Sequence, residues 1–289
     1  MLPLGRMSVI HTKMTIFAAR MKKKINVWLL LGVLFFAAGC SEYNKALKSD
    51  QLDVKYTTAI SLYEKGDFVR AIPLLEECIG LTRGTQKAED VYYYYAKAEY
   101  GAKDYYLANY YFRNFAKTFS NSARAEECLF LAAQCSYNLS PDFTLDQTDT
   151  KAAINELQLF LDTYPTSALR DSANHMVGFL NNKLERKAFE SAKLYYTTLK
   201  YKGAVTSLKQ FITDYPSTIY KEECLYLIVK SYYLYAEGSL EEKKLERYRA
   251  SIESYVTFAT AFPNSDVLKD AETYYEKSRR EVEKLTASN

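Results

Sequence analysis

Two histidines and one tryptophan are all the chain has of either residue, and the shortage of histidine excludes much metal and nucleophile chemistry at once. His11 falls in a leader read below as removed. His175 has no Cys or His at metal-ligand spacing, so neither zinc nor a histidine-based catalytic pair has the residues it needs. No glycine-rich phosphate loop and no G-x-S-x-G turn occurs. No cofactor or metal is expected, and the chain reads as a binding protein, not an enzyme. Long apolar runs are also missing. The longest candidate, Ile25–Ala38, is too short for a bilayer core, which needs about 20 residues. Acidic residues are absent from the first 39 positions, which hold six basic ones (Arg6, Lys13, Arg20, Lys22, Lys23, Lys24). The formal charge of +3 therefore overstates the body of the protein, which keeps 32 basic against 35 acidic residues. That balance excludes a basic surface for nucleic acid.

The five cysteines divide into two kinds. Cys78, Cys128, Cys135 and Cys224 each sit on an expected helix where a small apolar side chain would pack. Cys128 and Cys135 are two turns apart on one helix, about 10 Å by rise, beyond disulfide reach. Cys40 is different. Met21-Lys22-Lys23-Lys24, the apolar stretch and Ala37-Ala38-Gly39-Cys40 have the order of a secretory signal, and a cysteine after Ala-Ala-Gly looks like a bacterial lipobox. Residues 1–39 are expected to be a lipoprotein signal peptide with its true start at Met21. Cys40 would carry the covalent lipid, and residues 40–51 would form the lipidated tether.

What the chain has in plenty is aromatic helix. Ala188–Pro216 reads as two amphipathic helices, with Phe189, Ala192, Tyr195, Tyr196 and Leu199 on one face and Val205, Leu208, Phe211 and Ile212 on the next. A break is expected at Lys202-Gly203. Such a pair needs stacked neighbours to bury its faces, and the sequence supplies them. Phe119-Ser120-Asn121-Ser122, Tyr164-Pro165-Thr166-Ser167, Tyr215-Pro216-Ser217-Thr218 and Phe262-Pro263-Asn264-Ser265 recur 45, 51 and 47 residues apart. Each aromatic follows another four residues earlier, and Ala71, Ala108, Ala153 and Ala204 mark close helix approach. The fold expected is an all-α, tetratricopeptide-like helical-hairpin solenoid of about five repeats plus a C-terminal capping helix. Repeats 1–3 occupy 52–166, and repeats 4–5 with the cap occupy 167–289. Three departures stand out. Pro73 predicts a kink or late start in the first repeat's second helix. Ser140–Thr150 forms an extra loop of the kind that is functional or mobile, with Thr148-Asp149-Thr150 capping the next helix. Ala236-Glu237-Gly238-Ser239 and the charged 241–244 interrupt repeat five until Tyr248.

The 27 tyrosines admit two readings. Most fill space between hairpins. First-helix positions counted from Ala59 and Ala96, namely Tyr56, Tyr63, Tyr93, Lys97 and Tyr100, fit equally well as a groove for an extended peptide with aromatics and a carboxylate end.

The lipobox, the five units, Tyr63–Ile72, Ser140-Pro141 through Tyr164-Pro165, and Leu184-Glu185-Arg186-Lys187 leading to Tyr215-Pro216 together resemble the BamD family. These are outer-membrane lipoproteins of the β-barrel assembly machinery. Tyrosine richness and the interrupted fifth repeat look more like its Bacteroidetes branch. The resemblance implies a lipid-anchored scaffold on the periplasmic face of the outer membrane. Its C-terminal repeats would bind the POTRA domains of the barrel-forming subunit, and its N-terminal repeats would receive unfolded barrel precursors. Tyr56 to Tyr100 would then be the precursor side. Exposed Lys200, Lys202 and Lys209 would be the POTRA side, with Ser207 standing where the family carries a basic residue. The alternative is a periplasmic repeat scaffold of envelope maintenance or cell division.

Overall fold

The computed structural model describes residues 42–287, so Cys40, the leader and Met21 lie outside the described residues. Within them the regular structure is helical, with no strand. A short helix, α1, covers 42–48. It is followed by α2 (Leu52–Glu64), α3 (Phe68–Thr82), α4 (Lys87–Gly101), α5 (Tyr105–Thr118), α6 (Ala125–Leu139) and α7 (Thr148–Thr163). Then come α8 (Arg170–Thr197), α9 (Tyr201–Asp214), α10 (Lys221–Glu237), α11 (Glu241–Ala261) and α12 (Leu268–Ala287). The chain forms two compact units that divide between Asn138 and Leu139. Grouping by repeat endings puts the division after residue 166, whereas the compact units divide before α7. From α2 to α5 in the first unit, and from α7 to α12 in the second, each helix packs on its successor. First helices of adjacent hairpins also touch, α2 with α4 in the first unit and α8 with α10 in the second.

The four recurrent endings have one geometry. Phe119, Tyr164, Tyr215 and Phe262 each cap a helix with extended-side backbone, φ −113° to −133°, and donate their N–H to the carbonyl of the aromatic four residues earlier. Those partners, Phe115, Phe160, Phe211 and Phe258, are all buried, as are Ala71, Ala108, Ala153 and Ala204. Three residues after each capping aromatic, Ser122, Ser167, Thr218 or Ser265 closes a turn by donating its N–H to the aromatic's carbonyl. Its hydroxyl then accepts from the N–H two residues on, at 2.9–3.2 Å. Each ending thus satisfies backbone groups that a helix terminus leaves open.

The turn between α8 and α9 corrects one expectation. The break after α8 is at Thr198–Lys200, not at Lys202-Gly203. Gly203 lies inside α9, where a Cβ would stand 2.7 Å from the Tyr195 ring. The reversal is made by Leu199 at φ 59°, the position filled by Gly66 (φ 75°) and Lys103 (φ 65°) in the first two hairpins. A left-handed leucine is strained, and Leu199 is 70% exposed, so it loses little packing when removed. Leu199→Gly is expected to stabilise the second unit by about 0.5–1 kcal/mol, read as a higher thermal midpoint.

Pro73 sits within α3, which already begins at Phe68 behind an Asp67 cap, so the late start is not seen. Residues 241–244 do not interrupt repeat five. They form the first turn of α11, and Glu, Lys and Leu are good helix formers. Residues 167–200 contain one 28-residue helix, α8, and α12 closes the second unit with only Ala271 and Ser278 buried.

Candidate functional site

The five first-helix residues singled out from sequence lie along α2 and α4 of the first unit, all half-buried. Tyr63 packs edge-on to Tyr94 at 5.4 Å, and Tyr94 to Tyr93 at 5.4 Å, so the rings form a contiguous row. Lys87 stands over the Tyr56 ring at 5.0 Å, and Arg124 over the Tyr93 ring at 4.5 Å. The polar ends are engaged. Tyr93 donates to Glu127 at 3.0 Å, Lys97 pairs with the same carboxylate at 3.1 Å, and Tyr100 donates to Gln134 at 3.0 Å. Burial, helped by Asp90, pushes the Tyr56 phenol up to about 12. Burial and the Glu127 carboxylate push Tyr93 up as well, so these hydroxyls remain donors at physiological pH.

Glu127 and Arg124 escaped the sequence reading, yet a register finds the acid. Count from the small residue of each first helix: Ala59, Ala96, Ala133, Ala192 and Val229. Three residues before it stand Tyr56, Tyr93, Phe130, Phe189 and Tyr226, and four after it always a tyrosine, from Tyr63 to Tyr233. The residue just after it is Ile60, Lys97, Gln134, Lys193 or Lys230, and six before it are Asp53, Asp90, Glu127, Arg186 and Glu223. The lysine of one hairpin reaches the acid of the next: Lys97 to Glu127 at 3.1 Å and Lys193 to Glu223 at 2.6 Å. Lys230 repeats the arrangement with Asp270 of α12 at 3.7 Å. Rows of ring, cation and acid therefore line the first helices of both units.

The core tyrosines separate cleanly from this row. Tyr95 is 3% exposed, packs on Tyr111 at 4.5 Å, and donates to Glu99, which is itself buried. Burial raises the Glu99 carboxyl, with Asp104 and Glu76 adding to it. A carboxyl with a raised folded-state pKa stabilises the fold at low pH. That contribution is lost as pH rises from the unfolded value, about 4.3, through the folded one. Glu99→Gln is expected to raise stability at pH 7 and to make no difference near pH 4, as measured by denaturant titration at both.

The loop expected to be functional or mobile is clamped within the second unit. Lys183 donates to the Ser140 hydroxyl at 2.7 Å and to the Pro141 carbonyl at 2.9 Å. Lys187 donates to the carbonyls of Phe143 and Leu145, and Arg186 lies over the Phe143 ring at 4.1 Å. Thr148 and Thr150 do not cap α7. Gln147 holds the cap position, and its amide donates back into the loop to Asp142 and Leu145. Two of the sequence signatures, the Ser140 loop and Leu184–Lys187, are thus halves of one clamp. Burial lowers the Lys183 pKa, against the attraction of Asp142.

Lys200 and Lys202 are exposed at the start of α9. Lys209 donates to the Tyr232 hydroxyl at 3.0 Å and lines an open groove of about 390 Å³ with Ile212, Leu225 and Glu253. On α8 and α9 a second groove, about 370 Å³, takes in Ser207, Tyr195, Asp214 and Tyr215. Among the described residues no group of three His, Cys, Asp or Glu could hold a metal ion.

Stacked hairpins closed by aromatic turns and lined by repeated rings and ion pairs define a tetratricopeptide-like repeat protein. The chain belongs to the YfiO family of outer membrane lipoproteins, whose family model matches residues 48–244. A curated relative from Aquifex aeolicus (strain VF5), named as an outer membrane protein assembly factor, BamD, is 26% identical over 230 residues, 79% of this chain and 73% of that protein. The crystal structure of the P58(IPK) TPR domain is similar with a TM-score of 0.39 at 13% identity. It covers 81% of this chain, which in turn spans 66% of that one.

Proposed function

We propose that the protein is a non-enzymatic subunit of the machinery that assembles β-barrel proteins in the outer membrane, anchored by lipid on Cys40 at the periplasmic face. The observation that carries this reading is the family match over residues 48–244, which runs through both compact units. The relative named for outer membrane protein assembly supports it. In this reading the α2–α4 row receives unfolded barrel precursors. Its ring faces suit aromatic side chains, and Lys97 takes a terminal carboxylate in exchange for Glu127. The surface of α9 bearing Lys200, Lys202 and Lys209 meets the POTRA domains of the barrel subunit.

The test is affinity purification of the tagged protein from detergent-solubilised outer membrane. Recovery of a POTRA-bearing barrel protein at near-equal amount supports the proposal. Recovery of peptidoglycan-associated or division proteins in its place overturns it in favour of a periplasmic scaffold. At residue level, Tyr93→Ala is expected to weaken binding of a barrel C-terminal peptide more than it lowers the melting temperature, because a half-buried ring with a solvent-side carboxylate partner carries less of the core than Tyr95. The opposite order would assign Tyr93 to packing.

A further inference from the structure

The short helix α1 is not a loose leash. Ala46 is fully buried, and Tyr43 and Leu47 pack against the core of the first hairpin. Lys55, itself 3% exposed, donates to the Leu47 carbonyl at 3.0 Å and pairs with Glu77. The Arg70 guanidinium sits over the Tyr43 ring at 5.9 Å, which places the start of α1 beside the first turn of α3. Only Ser41 separates Cys40 from this docked helix. Two residue steps reach at most about 7 Å, so whatever is attached to Cys40 is held close to the tip of the first hairpin.

That tip continues into the next hairpin. Gly101, the last residue of α4, abuts Phe68, the first of α3, so closely that a Cβ would fall 2.6 Å from the ring. The turns at Lys65-Gly66 and Ala102-Lys103 therefore lie along one edge of the first unit. The second residue of each following helix points to water: Val69 is 76% exposed and Tyr106 is 67% exposed. Counted from Ala71 and Ala108, these positions correspond to Lys151 and Lys202 in the second unit, both exposed. The same water-facing position is thus lysine far along the chain and apolar or aromatic next to the attachment point. Tyr110, 59% exposed one turn beyond Tyr106, extends the apolar stretch. Charges along the edge are mixed, with Lys65 and Lys103 against Glu42, Glu64 and Asp104.

We propose that this edge, the tip of α1 with Val69 and Tyr106, rests on the lipid surface, so that the anchor mounts the first unit on the membrane in a fixed orientation. The inference rests on the lipidation of Cys40. Apolar and tyrosine side chains at headgroup depth supply the contact, and the mixed charge makes it indifferent to anionic lipid.

The test uses the full lipidated protein in phosphatidylethanolamine vesicles, with and without phosphatidylglycerol, containing lipid spin-labelled at the headgroup. A maleimide fluorophore is placed singly through Val69→Cys, Tyr106→Cys or Arg83→Cys, the last at the opposite end of α3. The four described native cysteines are buried and do not compete for label. Quenching at 69 and 106 is expected to exceed that at 83 several-fold in both vesicle types, and a flexible spacer between Ser41 and Glu42 is expected to lower it at both positions. Equal quenching at all three positions, or quenching unchanged by the spacer, overturns the mount. Flotation and the mass of the N-terminal peptide are read first. Protein that is unlipidated and does not float refutes the anchor itself, whereas lipidated, floating protein with uniform quenching refutes only the orientation.

Discussion

Cys40→Ser is expected to leave a folded protein that no longer floats with membranes. No described helix is long and apolar enough to cross a bilayer, so none of them can replace the lost lipid. Acyl chains contribute about 0.8 kcal/mol per buried methylene, and more than one is needed for stable attachment. The few exposed side chains at the tip of the first hairpin fall far short of that. Folding should be untouched, since packing begins at Tyr43 and Ala46, beyond the substituted residue. Vesicle flotation and circular dichroism of the released protein measure the two parts separately. A released but unfolded product would mean that the N-terminus does more than anchor.

Phe189→Ala is expected to destabilise the second unit by about 3–5 kcal/mol, the range for truncating a fully buried phenylalanine. Phe189 is 2% exposed, stacks on Tyr220 at 4.3 Å with rings 7° from parallel, and meets Phe211 at 5.7 Å. It therefore joins three helices' worth of contacts, α8, α9 and the start of α10. Leu194, five residues along α8 and 59% exposed, is the internal control. Leu194→Ala should shift the denaturant midpoint by less than the equivalent of about 0.5 kcal/mol. Similar losses for both would mean that the α8–α9 packing is not what holds the unit.

Why some of this was legible in the sequence and some not comes down to the range of the interactions. The aromatic endings were readable because every bond that makes them, such as those from Phe119 to Phe115 or from Ser122 to Phe119, spans two to four residues. Cys128 and Ala204 could be placed in the core because helical spacing alone puts them there. The break before α9 was misplaced because Gly203 looks like a breaker, whereas a leucine in a left-handed conformation makes the turn. The 140–147 loop looked untethered because its tethers, Lys183 and Lys187, lie 42–44 residues away and bond to carbonyls, which leave no mark in sequence. Lys97 was found but its partner was not. Glu127 becomes visible only when the register from the small residue is carried into the next helix. That register carries Ile60 in α2 and Gln134 in α6 in place of a lysine, and Arg186 in α8 in place of an acid, so the pattern does not announce itself throughout.

Cys78, Cys128, Cys135 and Cys224 are buried thiols in a protein whose proposed home is an oxidising compartment. Only the thiolate reacts readily, and an unfolded cysteine titrates near 8.5. Burial pushes Cys78 up to about 11, and Cys128 and Cys224 up to about 12, so these three thiols hold almost no reactive thiolate in the folded chain. The hazard is confined to the interval between export and collapse. Hairpins whose contacts are between sequence neighbours collapse early, and Cys224 is sealed once α10 packs on the α8–α9 hairpin before it. Early burial is thus expected to do the work of a disulfide isomerase, hiding the sulfurs before an oxidant can mispair them.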